Sequence, residues 1–143
     1  PKAEYGALAV AVLAAMAADS RGGPPPEVGR FLDRFGQLLP GEPAADDLRT
    51  RLRQAADALA AGASVRRYAE TVGRGRGVSG YMYHTVPVAV FAFFRHPDDY
   101  RAGVEAVIRC GGDTDTVAAV TGALIGTRVG EAGIPAGWLN RHW

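Results

Sequence analysis

Four oxygen-bearing side chains stand in a row near the end of the chain, in the run "GGDTDTV" at residues 111–117. The carboxylates of Asp113 and Asp115 alternate with the hydroxyls of Thr114 and Thr116. Carboxylate and hydroxyl oxygens are the ligands that hard cations such as Mg²⁺ and Ca²⁺ prefer, whereas zinc and copper favour nitrogen and sulfur. The residue types and their spacing predict part of a divalent-cation site, with Asp113, Asp115 and Thr116 as the ligands.

The same residues have a purely structural alternative. Gly111 and Gly112 end one helix, and the residues from Val117 onward resume helical spacing, so the four residues between them occupy a turn and the first turn of a new helix. Aspartate and threonine at a helix start accept hydrogen bonds from free backbone N–H groups. One such residue would be enough for a cap, whereas four exceed that need. On spacing alone, metal ligation and helix capping both stay open.

Two other known motifs share this spacing. An EF-hand loop counted from Asp113 needs glycine at its sixth position and glutamate at its twelfth, and the chain has Ala118 and Leu124 there, which excludes it. Phosphatases of the haloacid dehalogenase type also use an Asp-x-Asp motif, at the end of a parallel strand that opens an α/β domain. The sequence that follows Asp113 does not provide such a domain, so we expect this option to fail.

The rest of the chain has the pattern of consecutive helices. Apolar residues recur at three- and four-residue steps, interrupted by Gly and Pro, in the segments 4–19, 28–39, 46–62, 65–72, 87–94 and 98–110. We expect Pro87 in the first turn of its helix and the pair Asp98 and Asp99 at the start of the next. No stretch alternates with the period of two that a half-buried strand requires. The sequence therefore predicts a compact all-α, multi-helix bundle with essentially no sheet.

Two of these helices carry expectations about packing. The alanine-rich run Ala7–Ala18 is shorter than the roughly 18–20 residues that span a bilayer, so we interpret it as a buried helix. Ala118, Gly122, Gly126 and Gly130 lie four apart along one face of the last long helix. Glycine in a helix costs about 1 kcal/mol relative to alanine, so this stripe predicts the close approach of a neighbouring backbone.

Composition narrows the classes of partner. The 143 residues carry a net charge of +1, from 16 Lys and Arg against 15 Asp and Glu, which indicates neither a nucleic-acid surface nor an anionic-membrane surface. One domain of this size buries a single core. The lone Cys110 cannot form an internal disulfide, which fits a reducing compartment. We therefore expect a cytoplasmic protein, with small, polar or acidic partners left open.

Several smaller features have two interpretations each. Arg74 and Arg76, in "GRGRG", could grip a diphosphate or RNA, although the lack of interleaved aromatic residues favours a solvated, flexible loop. We expect His84 to be a hydrogen-bonded residue at a helix start rather than a general base. We expect Cys110 to be a small buried apolar side chain and Trp138 to fill the core near the C-terminus.

The sequence resembles one known family over nearly its whole length. The segment "GGDTDTVAAVTGALIGTRVGEAGIPAGWLNR" resembles the C-terminal signature of the ADP-ribosylglycohydrolases. Upstream, "GVSGYMYHTVPVAVFAFFRHPDDYRAGVEAVIRCGG" resembles the family's glycine-tyrosine turn, its Thr-Val-Pro helix and the helix that leads into the metal motif. The likeness is most specific from Gly77 to Trp138. It implies a mostly helical hydrolase that holds two Mg²⁺ ions in a cleft and releases ADP-ribose from an ADP-ribosylated protein or a related conjugate.

The resemblance also implies roles for particular residues, although it assigns no catalytic residue. The family's C-terminal metal ligands match Asp113, Asp115 and Thr116. Positions on the substrate side match Tyr81, Gly80 and Gly112.

Other parts of the family's pattern are missing from this sequence. The family takes its other metal ligands from a Thr-Asp-Asp run in the N-terminal half, near an early glycine-rich segment with an acidic residue, and neither appears here. The pairs at 46–47 and 98–99 lack the preceding threonine. The Thr-His-Pro start of the first helix is also absent. Two carboxylates bind Mg²⁺ weakly, because the hydrated ion gives up water reluctantly. We expect residues 1–143 to form one helical domain, or the C-terminal part of a larger one, completed by the N-terminal half of the protein or by a second chain. The alternative is an inactive binding or structural module.

Overall fold

The computed structural model describes residues 1–140, and these residues are mostly helical. They contain no strand, one 3₁₀ turn at Glu131–Gly133, and no helix that is long and apolar enough to cross a membrane. The α-helices are α1 Lys2–Asp19, α2 Val28–Leu38, α3 Pro43–Ala60, α4 Val65–Gly73, α5 Met82–Arg95, α6 Tyr100–Ile108, α7 Thr114–Val129 and α8 Ala136–Leu139. The all-α prediction is confirmed.

Helix α5 runs through the middle of the bundle. Ten of its residues are buried, and α1, α3, α4, α6 and α7 all pack against it. A helix that is apolar on every side has no face for water and has to be enclosed. Helix α5 therefore separates two apolar clusters, one around Leu13 and Phe35 of α1 and α2, the other around Tyr68 and Val107 of α4 and α6.

The start of α5 differs from the sequence prediction. Pro87 is the sixth residue of the helix, so the expectation that it lies in the first turn is wrong. Its missing N–H removes one intrahelical hydrogen bond. The earlier start buries Tyr83 and Thr85, whose hydroxyls then donate to backbone carbonyls. Tyr83 Oη donates to Ala44 O at 2.6 Å and Thr85 Oγ1 to Ser79 O at 3.1 Å. Burial and these two bonds offset the bond lost at the proline.

The small-residue stripe of α7 contacts a side chain rather than a backbone. A Cβ added to Gly122 would lie 2.8 Å from Tyr100 Oη, and one added to Gly126 would lie 3.5 Å from the same ring. Gly130 lies beyond the helix and ends it with a φ of 69°. The predicted approach of a backbone is therefore wrong, because the Tyr100 ring of α6 fills the groove that the glycines leave.

Two expected core elements are only partly buried. Helix α1 buries the face that carries Leu13 and exposes the opposite one, with Ala7, Ala11 and Ala15. The prediction of a buried helix therefore holds for one face only, since alanine combines high helix propensity with little apolar area to expose. Trp138 is also only half-buried, so it does not fill the core as predicted.

One buried side chain, Arg128, joins three parts of the fold near the end of α7. It is 8 % exposed, and its Nε donates to Asp98 Oδ1 at 2.8 Å. Nη1 donates to Ser20 O at 2.8 Å and to Ser20 Oγ at 2.7 Å, and Nη2 donates to Gly23 O at 2.8 Å. The planar fork of a guanidinium can satisfy several acceptors at once. Arg128 therefore fastens the turn after α1 to α7 and to the start of α6.

Replacing Arg128 with methionine should destabilise the protein. The change keeps much of the apolar volume but takes a charged donor from four acceptors, so the free energy of unfolding should fall by about 2–3 kcal/mol. Urea denaturation, monitored by circular dichroism, measures this free energy of unfolding. The control is Asp98→Asn, whose side chain is 65 % exposed and which should cost less than about 1 kcal/mol. Equal losses in the two variants would contradict the role given to Arg128.

Candidate metal centre and the adjoining cavity

Two glycine-rich loops cross in front of α7 and fix the position of Asp113. Val78 N donates to Gly111 O at 3.1 Å, and Asp113 N donates to Val78 O at 2.7 Å. These bonds form an isolated parallel bridge between Val78 and Gly112. The loop before α5, which the sequence predicts to be flexible, is thus paired with the loop before α7.

The crossing is so close that glycine is required on both sides. A Cβ on Gly77 would lie 2.6 Å from Gly112 N, and one on Gly112 would overlap the carbonyl of Val78. Both glycines also have a positive φ, 81° and 87°, a backbone conformation that L side chains rarely adopt. A Cβ on Gly80 would overlap Asp113 Oδ2. The glycines therefore let the Asp113 carboxylate lie directly against the backbone of the other loop.

At the start of α7, Asp113 and Asp115 bring their carboxyl groups together. Asp113 is the N-cap residue, yet its side chain makes no capping hydrogen bond, so capping does not account for it. Its carboxyl group is within hydrogen-bonding reach of that of Asp115, and this contact, followed by the backbone N–H of Thr116, lowers the pKa of Asp115. Two carboxylates this close repel each other when both are ionised. A divalent cation between them would relieve that repulsion.

The third predicted ligand, Thr116, follows this pair directly in the chain, and its role as a ligand stays a prediction. Thr116 is exposed in the first turn of α7. Nowhere in residues 1–140 do three or more His, Cys, Asp or Glu side chains gather as a metal site. The donors that do gather are oxygens, which suits Mg²⁺, but they supply only part of its octahedral shell. The site therefore has the type of ligand that Mg²⁺ prefers, but too few ligands to complete its coordination shell.

Tyr81 follows Gly80, the glycine against which the Asp113 carboxylate lies. Its side chain is 40 % exposed, and its hydroxyl accepts a hydrogen bond from Lys2 Nζ at 2.8 Å. The same ammonium lies 5.2 Å from the centroid of the Tyr83 ring. An exposed aromatic ring offers an apolar face with a polar edge, which suits a sugar or a base. The substrate-side role of Tyr81 stays a prediction, and Lys2, which the sequence analysis did not single out, is part of its surroundings.

A cavity of about 710 Å³, which Asp113 helps to line, opens between α3, α4, α5 and the crossing loops. The guanidinium-bearing residues Arg51, Arg74 and Arg76 line it together with Asp113. The sequence analysis placed Arg74 and Arg76 in a solvated loop and gave no role to Arg51. No local pattern could connect them, because α3 meets that loop only in the folded chain.

His84 lines the same cavity from the first turn of α5. Its Nδ1 is hydrogen-bonded to Ser79 Oγ at 2.8 Å, which confirms the expectation of a hydrogen-bonded residue at a helix start. Burial lowers the pKa of His84, and the positive charges of Arg51 and Arg74 lower it further. The imidazole is therefore held in its neutral form at pH 7.

His84 should titrate below the ordinary histidine pKa of 6.5. Arg51→Gln and Arg74→Gln should each raise this pKa, since each removes a nearby positive charge, whereas Arg66→Gln, outside the cavity lining, should leave it unchanged. A pH titration followed by proton NMR of the imidazole signals measures the pKa of His84. Because the unfolded chain binds the proton more readily, His84 also makes the fold less stable as the pH falls below 6.5. A native pKa of 6.5 or above would contradict the assignment.

Comparison with known proteins places the whole described chain in one family. No curated protein and no solved structure matches it. The family model described as ADP-ribosylglycohydrolase matches residues 1–142. The match extends beyond the segment from Gly77 to Trp138, where the resemblance is most specific, and includes the first helices. The chain belongs to the ADP-ribosylglycohydrolase family.

Proposed function

We propose that this chain supplies the C-terminal metal ligands of a Mg²⁺-dependent hydrolase that releases ADP-ribose from an ADP-ribosylated protein or a related conjugate. Family membership supports the class of reaction. One observation carries the metal assignment. The carboxyl groups of Asp113 and Asp115 meet at a helix start where Asp113 makes no capping bond.

Each residue of the site has a distinct part in this proposal. Asp113, Asp115 and Thr116 would hold the cation, and a bound cation would act as a Lewis acid in the hydrolysis of the ribose linkage. Gly80 gives the Asp113 carboxylate room to lie against the loop, because any side chain there would displace it. Tyr81 offers its exposed ring to the sugar or base of the substrate.

We propose that the N-terminal half of the same protein, or a second chain, completes the coordination shell. The other paired aspartates do not complete it, because no third acidic side chain gathers with the pair within residues 1–140, and each has a structural partner of its own. Asp46 and Asp47 bind Arg49 and Arg51, Asp98 binds Arg128, and Asp99 caps α6 through Ala102 N. A pair of carboxylates by itself holds Mg²⁺ weakly. The remaining oxygen ligands therefore come from outside residues 1–140.

An inactive binding or structural module is the second candidate function. It is favoured by the small number of acidic ligands gathered within the described residues.

An assay for release of ADP-ribose from an ADP-ribosylated protein distinguishes the two candidate functions. The chain alone should release none, and the chain mixed with the N-terminal half of the protein should release it in a Mg²⁺-dependent way. Chromatographic detection of free ADP-ribose measures this. Release by the chain alone would contradict the need for a partner, and no release by the mixture would favour the inactive module.

The chain alone should still bind Mg²⁺, weakly and through the carboxylate pair. Asp113→Asn removes one of the two charges and should weaken binding at least about tenfold in a calorimetric titration. Asp33→Asn, an exposed acid on α2, is the control and should bind as the unmodified chain does. An unchanged heat in Asp113→Asn would count against the metal assignment.

A second variant tests the position of the carboxylate rather than its charge. Gly80→Ala should displace Asp113 and weaken Mg²⁺ binding, while Gly29→Ala, where a Cβ meets nothing within 4 Å, should have no effect. Equal binding by both alanine variants would remove the role assigned to Gly80.

A further inference from the structure

We propose that Thr85, a buried threonine of α5, is a positioning residue for the metal ligand Asp113. Its hydroxyl fixes Ser79 and thereby Gly80, the residue against which the Asp113 carboxylate lies. This role rests on the proposed function, in which Asp113 binds the cation.

Asp113 meets the loop before α5 at two points that flank Ser79. On one side, Asp113 N donates to Val78 O at 2.7 Å, which fixes the backbone of Asp113. On the other side, the carboxylate lies against Gly80, where an added Cβ would overlap Oδ2. Ser79 is the residue between these two contacts. Its orientation therefore decides where Gly80 lies and how much room the carboxylate has.

The first turn of α5 holds Ser79 by hydrogen bonds. The backbone carbonyl of Ser79 accepts a bond from Thr85 Oγ1 at 3.1 Å, and its hydroxyl is bonded to His84 Nδ1 at 2.8 Å. Tyr81 N also donates to this hydroxyl, at 3.3 Å. Ser79 itself is exposed, so the core does not enclose it. The hydrogen bonds to α5 therefore fix its orientation.

Thr85 is the firmer of the two α5 side chains that bind Ser79. It is 1 % exposed and belongs to the most buried helix of the bundle, whereas His84 is partly exposed and faces the cavity. Its acceptor lies six residues earlier in the chain, before the helix begins. The bond is therefore a link between the core and the loop, and not a bond within the helix.

A second buried threonine supplies a natural comparison. Thr121 of α7 is 0 % exposed, and its Oγ1 has no hydrogen-bond partner among residues 1–140. Valine has nearly the shape of threonine and lacks only the hydroxyl. The same substitution thus removes a loop-holding bond at Thr85 and no bond at Thr121.

Amide hydrogen exchange, followed by NMR on the full chain in EDTA, tests the link without any metal. In Thr85→Val the amide of Asp113, which is bonded to Val78 O, should exchange about fivefold faster, because the loop has lost one of its hydrogen bonds. The amide of Gly103, within α6, should exchange as before. Thr121→Val should change neither rate.

Calorimetric titration of Mg²⁺ tests the consequence for the ligand. Thr85→Val should weaken binding at least about threefold, since Gly80 no longer keeps the carboxylate in one place. Thr85→Ser keeps the hydroxyl and should restore most of the affinity, and Thr121→Val should bind as the unmodified chain does. A role in packing alone predicts the reverse order for Thr85, because serine loses the methyl group that valine keeps.

The outcomes distinguish positioning from general stabilisation and from a failure of the metal assignment. The proposal is overturned by unchanged exchange of the Asp113 amide in Thr85→Val, by equal acceleration at Gly103, or by weaker Mg²⁺ binding in Thr85→Ser than in Thr85→Val. Lack of Mg²⁺ binding by the unmodified chain would refute the metal assignment, whereas faster exchange confined to the loops would still support the link from Thr85 to Asp113. Circular dichroism verifies that each variant is folded.

Discussion

The backbone pairing of Val78 with residues 111–113 is the contact on which the rest of the site depends. It joins the loop before α5 to the loop before α7, and both helices are fixed by the core. Glycine is needed on both sides because a Cβ on Gly77 or Gly112 would enter the backbone of the other loop. The location of Asp113 thus follows from two backbone hydrogen bonds between the loops, which leave less freedom than a side-chain contact would.

Asp113 has neighbours of both charges. The carboxyl group of Asp115 lies beside it, and Asp113 also lines the cavity whose walls include Arg51, Arg74 and Arg76. A cation bound by the two carboxylates would relieve the repulsion between them.

The family and the ligand count impose different requirements on this chain. The family is one of hydrolases, whereas the described residues gather only a pair of carboxylates. The remaining aspartate pairs serve the fold, as Asp98 does by binding Arg128 and Asp99 by capping α6. A second polypeptide segment that brings the missing oxygen ligands would meet both requirements.

Apolar spacing and the positions of glycine and proline were enough to predict the all-α class and boundaries such as the cap at Asp99 and the turn at Gly111. These features depend on neighbours within about one helical turn, which the sequence displays directly. The start of α5 was decided by tertiary structure, because burial of Tyr83 offsets the hydrogen bond lost at Pro87. The same holds for the cavity beside Asp113. The sequence shows that Arg51 and the loop after α4 are positively charged, but only the packing of α3, α4 and α5 brings these residues to one cavity.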